Sequence, residues 1–266
     1  MSLHWVQKFL KNPIFYLTVF QFSKIMQSKK ARFFIGLILG VILVSLSWLI
    51  SPLESVAKSD RSSPGDVSAF IKAGCVQEGE SLNCSKINLE EKFSCERIIP
   101  PSGALIGLSP ALPIAECTFI NRNASTTSAG ISRKGCRLPL YNKYIVLTSD
   151  NEFKEIATKE AFQKFFAPVE KPEEALSFAV ALTKSYPRYK ITIPKEFRVF
   201  VSKIKDTSVK KIGNGYQVHL FDYQVCGCGP HPHYTVDYTV TKTGEVTETS
   251  REKIYEDPKQ DGLCVD

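Results

Sequence analysis

The segment Cys226-Gly227-Cys228-Gly229-Pro230-His231-Pro232-His233 gathers the densest set of chemistry-bearing side chains in the chain. Two thiols one residue apart and two imidazoles one residue apart can converge on a single ion, because thiolate and neutral imidazole donors suit Cu(I) and zinc alike. Cys226, Cys228, His231 and His233 are therefore the candidate metal ligands. The same cysteines admit a second chemistry, thiol–disulfide exchange, which needs an exposed thiol of depressed pKa. A third reading is structural: cystines pin the loop, glycines supply tight turns and prolines stiffen it. The compact spacing matches no standard zinc pattern and favours this third reading.

Other reactive constellations are missing. The sequence contains no G-x-S-x-G elbow, no H-E-x-x-H, no P-loop and no G-x-G-x-x-G, so no cofactor is expected. His219 with Asp222, and His233 with Asp237, offer imidazole–carboxylate pairs, but strand alternation reads these histidines as solvent-facing. Glu90-Glu91 and Glu173-Glu174 read as solvated or helix-start charges. A hydrolase with an unfamiliar site is the enzymatic alternative.

Sulfur also marks the compartment. All eight cysteines (Cys75, Cys84, Cys95, Cys117, Cys136, Cys226, Cys228 and Cys264) follow residue 66, and an even set of this kind points to disulfides in an oxidising, exported setting. Five fall between residues 75 and 136 and three between 226 and 264. Full pairing then requires at least one bridge between the two regions. The local pairs expected are Cys75 with Cys84, and Cys226 or Cys228 with Cys264.

The elements that position these residues begin with a membrane anchor. The 266-residue chain has a net charge of +7, yet residues 1–52 alone carry six basic groups and no acidic one. The body is thus close to neutral, which with its exported setting argues against nucleic acid as a partner. Phe33–Leu53 is uncharged and, at ~1.5 Å rise per residue, spans roughly 31 Å as a helix, the thickness of a bilayer core. Lys29, Lys30 and Arg32 precede it and Trp48 lies near its far end, so the N-terminus is expected in the cytoplasm and the body outside. A cleavable signal peptide is the rival, with small residues at Ser55, Val56 and Ala57, but the 32 residues ahead of the span favour a retained anchor. Residues 1–32 read as a basic, aromatic cytoplasmic segment, 33–53 as the span and 54–66 as a polar tether.

In the body, residues 67–157 read as Cys-rich and loop-rich, and residues 158–266 as a helix plus antiparallel sheet. Strands are expected over 138–148 and 153–157, and helices over Lys159–Phe166 and from Pro172 to about Tyr186, where Pro187 ends the second. Strands then follow over 197–204, 207–212, 216–225, 233–241 and 245–255, with Gly213-Asn214-Gly215 suited to a tight hairpin. The fold class is α+β: an N-terminal transmembrane helix, then a disulfide-stabilised exported body with a helix packed on an antiparallel sheet.

That order, with PEEALSFAVALT as the helix and YTVTKTGEV closing the sheet, makes residues 172–255 resemble PepSY-like and cystatin-like modules. PepSY-like domains occur in exported proteins and are associated with restraining peptidases, so the resemblance implies a binding role. Together these readings anticipate a single-pass protein with a non-enzymatic part in binding a protein, peptide or envelope component. The alternatives are a metal-binding or thiol-redox protein acting through the 226–233 loop, and the hydrolase above.

Overall fold

The computed structural model describes residues 63–121 and 130–266, which fall within one compact unit, Val56–Asp266. The expected cytoplasmic segment (1–32), the membrane span (33–53) and the tether up to residue 62 lie outside the described residues. Among the described residues, no helix is long and apolar enough to cross a membrane.

The first half of the body carries α1 (Ser68–Ala73), β1 (Val76–Glu78), β2 (Ser81–Asn83), α2 (Leu89–Lys92), β3 (Arg97–Ile99), β4 (Ile114–Ile120), β5 (Ser132–Arg133), β6 (Leu140–Leu147) and β7 (Phe153–Ile156). Its strands form an antiparallel sheet in the order β1-β2-β3-β4-β6-β5, with β7 also on β6. Seven strands thus lie within residues 67–157, the region read from the sequence as Cys-rich and loop-rich. Strands of three residues, such as β1 to β3, are too short to show an alternating pattern. Sulfur holds them instead: Cys75 bonds Cys84 and Cys95 bonds Cys117, packed with Phe70, Leu82, Ile98 and Ile145.

The second half carries α3 (Lys159–Phe166), α4 (Pro172–Leu182), β8 (Arg198–Val199), β9 (Ser208–Ile212), β10 (Gly215–Tyr223), β11 (Gly227–Cys228), β12 (His233–Thr241), β13 (Val246–Glu256) and β14 (Cys264–Val265). α3 matches its expected span, and Thr158 Oγ1 accepts the Ala161 amide at its start. In α4, Pro172 sits in the first turn while the Glu174 carboxylate accepts the amides of Glu170 and Lys171 at 2.6 and 3.1 Å. The helix ends short of Tyr186, because Thr183 Oγ1 donates to the Ala179 carbonyl and Tyr186 instead exchanges two backbone hydrogen bonds with Phe221. Tertiary pairing has overridden the proline rule here.

The second sheet is antiparallel, in the order β8-β13-β12-β10-β9. α4 buries Phe178, Ala179 and Leu182 against Val218, Leu220, Val236 and Val240 on one face, and the same core takes in Ile114, Tyr144 and Val146 from the first sheet. A boundary near residue 157 therefore does not separate two cores. The opposite face presents Phe221, Ile254 and Tyr255, covered by Tyr186, Ile191, Ile193, Phe197, Val201 and Ile204. The strand expected over 197–204 shrinks to β8, since its apolar side chains are spent on this cover. Gly213 at φ +38° makes the two-residue turn from β9 to β10.

All eight cysteines are paired: Cys136–Cys226 and Cys228–Cys264 complete the set. Cys75–Cys84, a bridge to Cys264 and a bridge between the two cysteine regions were each expected.

Candidate functional site

The 226–233 loop is a clasp. Cys226 reaches back to Cys136, and Cys228 bonds Cys264 opposite it in the two-stranded β11–β14 pair. His231 is buried, and each of its ring nitrogens lies 3.0 Å from a carbonyl oxygen, Nδ1 from that of Gln224 and Nε2 from that of Leu263. His233 is stacked between Tyr223 and Tyr255, 4.4 Å from each ring, in one cross-strand row. Burial, followed by the nearby Arg188 guanidinium, pushes its pKa down to about 4. The loop is pinned by two cystines, and its four candidate metal ligands do not come together as a metal-holding group. Both sulfurs are spent in separate cystines, His231 has no free nitrogen, and no group of three or more His, Cys, Asp or Glu among the described residues can hold a metal ion.

Chemistry-bearing side chains instead converge on the covered face of the second sheet. Register places Ser208 of β9 opposite His219 of β10, His219 opposite Asp237 of β12, and Asp237 opposite Ser250 of β13. Directly paired residues of an antiparallel ladder project to the same face, so the four form one row across four strands. His219 Nδ1 lies 2.7 Å from Asp237 Oδ1, and Ser250 Oγ donates to Asp237 Oδ2 at 3.0 Å. The bond to the carboxylate fixes the proton on Nδ1. Nε2 is buried and without a hydrogen-bond partner.

Around this row lies a cavity of about 270 Å³, also lined by Lys203, Lys205, Lys210, Gln217, Thr235 and Glu252. Lys203 and Lys205 come from the cover segment and Lys210 from β9. No ion pair among the described residues engages any of the three. Three ammonium groups thus face two carboxylates, and one of those, Asp237, is already satisfied by His219 and Ser250. The Phe221 ring supports the imidazole edge-on, 5.8 Å between centroids. Such an arrangement can hold an anionic group at the lysines and meet it with a histidine nitrogen that accepts a proton or, once protonated, donates one.

The sequence offers His219 with Asp222 and His233 with Asp237 as imidazole–carboxylate pairs. Residues three apart on a strand face opposite sides, and residues four apart are separated by roughly 13 Å, so neither pair can form. Asp222 instead accepts Arg251 at 2.6 Å and lies 3.5 Å from Lys184. The missing signal was the register: aligning the alternation of 216–223 with that of 233–241 as a hairpin sets His219 beside Asp237. The chain matches no family model, no curated protein and no solved structure.

Proposed function

We propose that the protein is an exported, non-enzymatic binding module, held at the membrane by residues 33–53, that takes a ligand bearing an anionic group into the His219 cavity. The observation that carries this reading is the buried, unpartnered Nε2 of His219, fixed by Asp237 within a cavity whose rim holds three lysines without ion-pair partners. A polar atom left unsatisfied away from water is costly, and a ligand that supplies its partner relieves that cost. Four disulfides support an oxidising, extracytoplasmic setting. The resemblance of residues 172–255 to PepSY-like modules belongs to the same reading, with a protein, peptide or envelope component as the natural ligand.

Calorimetric titration of the full chain with citrate and with pyrophosphate tests the cavity. Saturable millimolar binding is expected, weakened at least tenfold when Lys203, Lys205 and Lys210 are all changed to Glu. Absence of saturable binding, or binding indifferent to the three substitutions, contradicts the reading.

One observation favours a second reading, serine hydrolysis: Ser208, His219 and Asp237 stand in register in the order nucleophile, base, orienting acid. His219 Nε2 accepts no hydrogen bond from Ser208, however. A fluorophosphonate probe that labels Ser208, and fails to label Ser208→Ala, would establish that reading; no labelling would dismiss it.

A further inference from the structure

β9 ends the five-stranded sheet, pairing with β10 on one side and, among the described residues, with no strand on the other. An edge of five residues leaves alternate N–H and C=O groups unpaired and is a template for another strand. Two features set this edge apart from an ordinary one. Val209 packs against the core beneath α4, which fixes the backbone in extended form before any partner arrives. Ser208 and Lys210, on the alternate face, line the His219 cavity, so a strand laid along β9 runs along the rim of that cavity.

Charge identifies what fits. Lys210 and Lys211 stand on the edge strand, with Lys203 and Lys205 beside it. Lysines on an open edge repel basic strands and discourage apolar ones, while an acidic strand gains from the same charges. We infer that the ligand is an extended acidic peptide segment of a protein partner, added to β9 as a sixth strand, with one carboxylate entering the cavity between the lysines and His219. Backbone pairing along β9 supplies affinity, and the cavity supplies selection for the acidic side chain.

This inference rests on the cavity reading above, and hydrogen exchange separates the two. The full chain is incubated with a synthetic pool of hexapeptides bearing Glu or Asp at alternate positions and Val, Ile, Thr, Tyr or Phe between them. A matched pool with Lys or Arg in place of the acids, and citrate alone, serve as comparisons. Exchange of the Ser208–Ile212 amides is expected to slow at least fivefold with the acidic pool only. Lys210→Glu combined with Lys211→Glu should weaken acidic-pool binding at least tenfold while leaving the melting temperature unchanged. Binding of the acidic pool without slowing at 208–212, or equal binding of the basic pool, overturns the added strand. Citrate binding with no peptide binding overturns it too and leaves the cavity reading standing. If neither citrate nor peptide binds, both fall.

Discussion

His219 and His233 sit on neighbouring strands and meet opposite surroundings. The first keeps a carboxylate partner and an idle nitrogen; the second is clamped between two tyrosines with Arg188 near it. With its pKa held at about 4 against an ordinary 6.5, His233 binds its proton later in the folded state than in the unfolded one. Between those two values the unfolded chain carries more protons. Stability is therefore full above pH 6.5 and declines as the pH falls toward 4, by about 1–2 kcal/mol once the ring's partial exposure is allowed for. Urea denaturation from pH 7 to 4 should show this slope. His233→Phe, which keeps an aromatic ring in the stack, should flatten it, and an equal slope in both proteins would assign the effect elsewhere. The residue types at the candidate site were visible in the sequence, but their partnerships were not. His219 and Asp237 are eighteen positions apart, and only the strand register joins them.

Elements were legible in proportion to their length and to how far local forces alone specify them. α3 and β12 follow from a Thr cap and a clean alternation, and both were read at their observed bounds. β1 to β3 carry three residues each and no period to detect. The stretch 197–204 has the composition of a strand, yet most of it serves as a lid over Phe221 and Ile254, a use that depends on what the neighbouring face leaves uncovered. The turn after β12 runs through Lys242-Thr243-Gly244, and its packing shows how tightly the elements are matched. Gly244 adopts φ +81°, and a Cβ there would lie 2.3 Å from the Phe178 ring of α4. Gly244→Ala should thus cost about 2–3 kcal/mol through backbone strain and overpacking. Chemical denaturation measures it; a loss below about 0.5 kcal/mol, the size typical of surface changes, would show that the turn can move away from the helix.

At the scale of the whole molecule, sulfur parity proved more informative than charge. The odd numbers of cysteines in the two regions demanded a bridge between them, and Cys136–Cys226 supplies it across 90 residues of sequence. In the chain-entropy view, closing a loop of that length stabilises the fold by about 4–5 kcal/mol. Replacing both cysteines by serine should lower the urea midpoint by a corresponding amount, and an unchanged midpoint would mean the shared core around α4 already fixes the two sheets. The net charge of +7 belongs mostly to residues 1–52, whereas the charge that bears on binding is local: three lysines around one histidine. Ring-nitrogen NMR of the full chain tests that claim most directly, because the protein has only four histidines to assign. As citrate is added, the Nε2 signal of His219 should move saturably while those of His231 and His233 stay in place. No movement at His219, or equal movement at all the histidines, would contradict a binding cavity there.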